Sequence, residues 1–133
     1  MHGAPHMPKE NRPSRPLSPH LQVYRWPATM VTSITHRATG IALSAGALLL
    51  CVWILTAATG PVAYNAFRDI AGSWFGQVVL FGFSWALVFH LLNGVRHLYW
   101  DSGFGFENTF AERTRLLLIL LSAVLTILIW VAA

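Results

Sequence analysis

Three stretches of this chain contain no Lys, Arg, Asp or Glu: residues 38–67, 70–95 and 116–133. A helix needs about 20 apolar residues to cross the hydrocarbon core of a bilayer, within a range of about 17–25. Each stretch is long enough, the third barely. In lipid an isolated strand cannot satisfy its backbone, and the alternation of a β-barrel is absent, so helices are expected. The expected fold is an all-α membrane protein with spans at about 38–59, 73–98 and 114–133. Composition agrees. Of 133 residues, 55% are hydrophobic and only 11% charged, whereas a soluble domain carries about 25% charged residues. Six Trp, eight Phe and three Tyr exclude a disordered chain. The single cysteine, Cys51, excludes an intrachain disulfide and a multi-thiolate zinc site. Within its apolar run it reads as a small packed hydrophobe.

Thr59-Gly60-Pro61 ends the first span, and residues 64–69 read as a short loop. Residues 101–108, rich in Gly, break the second helix. Trp74 and Trp100 bracket the second span as interfacial aromatics do, and Trp130 is assigned that part on the third. Residues 1–28 form an N-terminal segment, of which 1–14 read as a mobile tail, and 29–133 form the membrane domain. The first 37 residues hold no apolar core of a secretory signal. Of nine basic residues, Lys9, Arg12, Arg15, Arg25 and Arg37 precede the first span. Only Arg68 lies between the first two spans, and Arg96, Arg113 and Arg115 flank the second connection. This bias places the N-terminus and the second connection on the cytoplasmic side, or the matrix side in a mitochondrion. The basic residues form no dense stripe, so nucleic acid is not an expected partner.

Ionisable groups inside membrane helices are costly and point to function. At about 100° per residue, His90, Gly94, His97 and Asp101 share one stripe of the second helix, while Arg96 points about 120° away. Taking Trp74 and Trp100 as the interfaces, the midplane falls near Leu87, and His90 lies about 4–5 Å from it. A neutral imidazole there suits the axis of a heme iron, and Gly94 leaves room beside a porphyrin. The competing reading is a histidine hydrogen-bonded to a carbonyl of a neighbouring helix. His97, about 10 Å further along the axis, is too close to hold a second heme. It meets a heme propionate or is simply solvated.

A second cluster, Ser33-Ile34-Thr35-His36-Arg37-Ala38-Thr39-Gly40, opens the first helix near the membrane edge. Ser33, His36, Arg37 and Gly40 are spaced i, i+3, i+4 and i+7 and share a face. A hydroxyl, a forked guanidinium and a histidine that titrates near neutrality suit an anion or a carbonyl together with a proton supply. The competing reading is a helix start whose Arg snorkels to the head groups.

This segment, preceded by Arg15-Pro16-Leu17-Ser18-Pro19-His20-Leu21, resembles the first signature of the cytochrome b membrane-anchor subunits of succinate dehydrogenase. His90-Leu91-Leu92-Asn93-Gly94-Val95-Arg96-His97-Leu98-Tyr99-Trp100-Asp101-Ser102-Gly103 resembles the second. The resemblance implies a helical bundle, completed by a second anchor subunit, that binds one heme b. It implies a four-subunit respiratory complex II, acting in the tricarboxylic acid cycle and the aerobic respiratory chain. There a flavoprotein oxidises succinate, and an iron–sulfur subunit passes electrons to quinone at a site in the membrane. By resemblance His90 is an axial heme ligand, with the other axial His supplied by the second anchor. Ser33 and Arg37 line the quinone pocket, and His36 lies near the heme propionates, with His97 a weaker candidate there. The membrane is a bacterial inner membrane or, alternatively, a mitochondrial one. Two other readings are a fumarate reductase anchor and a structural anchor without heme. A proton conductor would need ionisable groups throughout, and the outer half of these spans has none.

The charge bias makes a direct prediction. A reporter active only in the periplasm should give signal when fused after Ala133 and none after Gly105; the opposite pattern would invert the topology.

Overall fold

The computed structural model describes residues 28–105 and 107–133, with side chains for residues 30–105, 107 and 113–133. Residues 1–27, with the Arg15 to Leu21 half of the first motif, lie outside the described residues. Four helices follow one another: α1 Ala28–Thr59, α2 Pro61–Gly72, α3 Trp74–Asp101 and α4 Asn108–Ala132. Apolar segments long enough to cross a bilayer are Met30–Thr59, Trp74–Asp101 and Arg113–Ala132. Their 30, 28 and 20 residues correspond to about 45, 42 and 30 Å at 1.5 Å per residue. The hydrocarbon core is about 30 Å thick, so α1 and α3 have length to spare.

The helix containing the first span begins ten residues before the uncharged run, so the whole Ser33 to Gly40 motif is helical. The expected loop at residues 64–69 is instead part of α2. Asn65, Arg68 and Asp69 are its exposed face, while Ala63, Tyr64, Phe67 and Ala71 are half-buried toward α1 and α3. This i, i+1, i+4, i+8 spacing is that of an amphipathic helix. Gly60, at φ 126°, turns the chain where a side chain would be strained, and Pro61 takes the first helical position, where its missing N–H costs nothing. Ser73 then joins α2 to α3. Its Oγ donates to the Ile70 carbonyl at 2.6 Å and accepts from the Gly76 N–H at 3.1 Å.

α3 is the middle helix, packed against α1, α2 and α4. It runs antiparallel to α1, since His36 meets His90 near one end and Gly46 meets Phe83 nearer the other. It is also antiparallel to α4, whose Trp130 donates its indole N–H to Ser84 Oγ at 3.1 Å. That side chain is therefore turned into the α3–α4 seam, not held as a simple interfacial anchor. Between α3 and α4, Gly103 and Gly105 adopt positive φ, and the Trp100 indole donates to the Gly105 carbonyl at 3.1 Å.

The interior is small and polar while the exterior is greasy. Among the described residues the buried apolar side chains are Ala86 and Phe89, and the buried polar ones are Thr32, Thr39, Asn93, Arg96, Ser122 and Thr126. Ile41, Leu48, Leu98, Leu117 and many others are exposed. Such a surface suits lipid, where helices associate through small residues and close packing. Cys51 is exposed among these outer residues, which corrects its expected packing in the interior. Because Ser122 is fully buried, Ser122→Leu should force α4 outward and cost about 1–3 kcal/mol. It should lower the thermal midpoint of the solubilised protein, whereas Leu120→Ala, on the exposed face, should leave it nearly unchanged.

Candidate functional site

The start of α1 and the end of α3 bring three histidines together. The imidazoles of His36 and His90 stack with centroids 3.9 Å apart and planes within 8°. His97 tilts at 53° to His36 at 5.4 Å, and meets Trp100 edge-on at 5.3 Å. His36 was expected near the membrane edge, with His90 well inside. They lie at one depth, because α1 starts earlier than its apolar run and carries the motif down beside α3.

His90 Nδ1 is 3.2 Å from the His36 carbonyl oxygen and 3.2 Å from Thr39 Oγ1. The Thr39 hydroxyl itself donates to the same carbonyl at 2.9 Å. The carbonyl can only accept, so Nδ1 carries the proton and donates. Both hydrogen-bond contacts of His90 are at Nδ1, and its Nε2 makes none among the described residues. Such a tautomer leaves the Nε2 lone pair available to a metal. The carbonyl-bonded histidine and the ligand were competing readings of the sequence; the geometry makes them compatible.

α1 comes this close because residue 40 is glycine. A Cβ there would stand 3.2 Å from His90 Cε1. One turn beyond His90 on α3, a Cβ at Gly94 would meet nothing within 4 Å, so that flank of the stripe is open. His36 Nε2 is buried without a hydrogen-bond partner. The stripe reasoning holds for His90 and His97, which both reach the α1 side, while Asp101 is exposed at the helix end. Arg96 faces elsewhere as expected. It is buried at 7% exposure, with its guanidinium carbon 4.1 Å from the Trp100 ring centroid, a cation–π distance.

Ser33 and Arg37 sit one turn apart on α1, Ser33 half-buried and Arg37 exposed. Neither makes a hydrogen bond or ion pair among the described residues, so the hydroxyl and the guanidinium are both available. Thr39 was not singled out from the sequence. Its only signal was its place within the motif, next to Gly40.

No three His, Cys, Asp or Glu side chains are arranged to hold an ion among the described residues, and stacked parallel imidazoles do not converge on one. A separate cavity of about 620 Å³ lies toward the other end of the bundle, between α1, α2 and α3. It is lined by Trp53, Leu80, Phe83 and Leu87, with Tyr64 and Arg68, and by none of the five candidate residues.

Fold and site together define a multi-pass membrane protein with a cluster of three histidines where α1 packs on α3. Residues 11–129 match the family model described as succinate dehydrogenase/fumarate reductase transmembrane subunit. The chain is 48% identical over 118 residues to the succinate dehydrogenase cytochrome b556 subunit of Paracoccus denitrificans, covering 89% of this chain and 91% of that protein. It is 36% identical over 117 residues to the cytochrome b556 subunit of Rickettsia typhi, covering 88% and 91%. With the mitochondrial cytochrome b560 subunit of Sus scrofa it shares 42% identity over 97 residues, covering 69% of this chain and 56% of that protein. The chain belongs to the family of cytochrome b membrane anchors of succinate dehydrogenase and fumarate reductase. As in that family, it is a membrane-anchor subunit of an enzyme complex and not a catalyst by itself.

Proposed function

We propose that this chain helps to hold one heme b and forms one wall of the site where quinone is reduced by electrons from succinate. The observation that carries the reading is His90, held inside a membrane span by its Nδ1 proton with Nε2 left open. Relatives named cytochrome b556 and cytochrome b560 subunits support a b-type group. When bound, heme supplies a one-electron carrier within the membrane. His90 would provide an axial nitrogen, with Gly94 leaving room for the macrocycle. His36, with its buried and unpartnered Nε2, would serve the propionates, with His97 a lesser contributor. His36 is not the opposite axial ligand in this arrangement. The His36 and His90 imidazoles stack face to face, so the two would not hold one iron between them. The other nitrogen ligand would be supplied by the second anchor subunit, as the resemblance implies.

Quinone reduction requires two electrons and two protons. The electrons reach the membrane from the flavoprotein through the iron–sulfur subunit; this chain, with one cysteine, carries no iron–sulfur motif. Ser33 and Arg37 donate hydrogen bonds to a quinone carbonyl as negative charge develops on its oxygen. Their end of α1 is where a soluble iron–sulfur subunit would dock and where water reaches the site. The charge bias places that end on the cytoplasmic side of a bacterial inner membrane.

In the assembled complex, His90→Leu should abolish or alter the low-spin heme spectrum, and His97→Leu should preserve axial ligation. The reverse result would reassign the ligand. Losing one donor from a dry site typically costs about 10²–10³ in rate. Ser33→Ala and Arg37→Ala should therefore slow succinate–quinone reduction strongly, yet spare succinate oxidation by an artificial dye that accepts electrons upstream. Arg37→Lys should also be impaired, since a point charge does not reproduce the planar fork. Normal quinone turnover and inhibitor sensitivity in an assembled Arg37→Ala complex would remove this residue from the site.

A further inference from the structure

We infer that Thr39, beside the His36 carbonyl that fixes the tautomer, sets the plane and basicity of His90, so that the hydroxyl of α1 tunes a heme ligand carried by α3. This rests on the reading of His90 as an axial ligand and goes beyond it, because it assigns a role to a residue that never touches the iron. Thr39 is 4% exposed, so its hydroxyl has no water to bond. It donates to the His36 carbonyl at 2.9 Å, which leaves its oxygen lone pairs as acceptors 3.2 Å from His90 Nδ1. The Nδ1 proton is thus shared by two acceptors, the His36 carbonyl and the Thr39 oxygen.

Each acceptor does something different. The carbonyl is fixed by the backbone of α1, and any residue at position 36 would present one. The hydroxyl exists only because position 39 is Thr. Two acceptors flanking one N–H define the ring plane, where a single one would leave the ring free to pivot about the bond. The absence of a side chain at Gly40 allows His90 Cε1 to close against α1, and stacking on His36 closes the other face. Hydrogen bonding at the distal nitrogen raises the electron density of a coordinating imidazole. That favours the oxidised iron and lowers the reduction potential. Thr39 is therefore a positioning residue, and its loss should raise the heme potential and loosen the group without unseating the ligand.

The experiment uses the purified membrane complex. Redox titration gives the heme midpoint, and transfer to excess apomyoglobin gives the rate of heme loss. Thr39→Val keeps the shape and removes the hydroxyl. It should retain a low-spin two-histidine spectrum, shift the midpoint upward, and speed heme loss about 10-fold, the lower end of what loss of such a supporting hydrogen bond costs. Thr39→Ser, which restores the hydroxyl without the methyl, should return both readouts to the parent values. Parent values in Thr39→Val, or a Thr39→Ser variant that behaves like Thr39→Val, would overturn the inference and leave His90 as the ligand. If Thr39→Val does not assemble, Thr39→Ala against Thr39→Ser makes the same comparison, and equal behaviour of those two would overturn it. If His90→Leu instead keeps the unaltered low-spin spectrum, the ligand assignment itself fails, and this inference with it.

Discussion

A polar atom that enters the hydrocarbon layer must find its hydrogen-bond partner inside the protein, because lipid supplies none. Most hydroxyls in these spans meet that demand within their own helix. Thr35 bonds the Val31 carbonyl, Ser44 that of Gly40, Thr56 that of Trp53, Ser84 that of Leu80 and Thr126 that of Ser122. Such bonds cost little and leave helix-to-helix recognition to packing. The exceptions cross between helices, and they locate the two seams. Trp130 reaches Ser84 on the α3–α4 seam, and His90 reaches His36 and Thr39 on the α1–α3 seam. α3 is pinned on both sides by side chains that could not be satisfied alone.

The three spans were legible in the sequence because charge absence over some 20 residues leaves few alternatives. Their ends were less so. Hydropathy marks where the chain is uncharged, and a helix is free to continue through Ser33, His36 and Arg37 provided their polar atoms reach the head groups or each other. α2 was missed for the same reason in reverse. Asn65, Arg68 and Asp69 look like a loop when counted, but they fall on one face of a helix whose other face rests on α1 and α3. Cys51 and Trp130 were misplaced because the sequence shows that a residue lies in an apolar run and not which way it faces. In lipid both directions are apolar, so the usual argument that greasy side chains point inward loses its force.

Within one helix, angular arithmetic served well. It set His90 and His97 on one side of α3 and Arg96 on another, and it put His36 with Gly40 against α3, whereas Arg37 and Asp101 of the same stripes are exposed. Between helices it was silent. The depth match of His36 with His90 depends on how far α1 slides along α3, and that register is set by Gly40 against His90 and Gly46 against Phe83. Thr39 escaped notice because its importance comes wholly from that register. Taken alone it is an ordinary β-branched residue bonding back to its own helix.

The same register divides the molecule along the membrane normal. Beyond Arg37 on α1, before His90 on α3 and after Arg115 on α4, no span carries a Lys, Arg, Asp, Glu or His side chain. Past that division the bundle holds the 620 Å³ cavity with its mostly apolar wall. A charge on the spans in that half would be costly to desolvate, and the titratable groups beside the cavity, Tyr64 and Arg68, belong to α2. In the proposed reading, a quinone held at Ser33 and Arg37 would take up its protons from the end at which α1 begins. The three histidines, Ser33 and Arg37 are gathered toward the start of α1 and the end of α3, and the apolar lengths beyond them are left to anchor the chain.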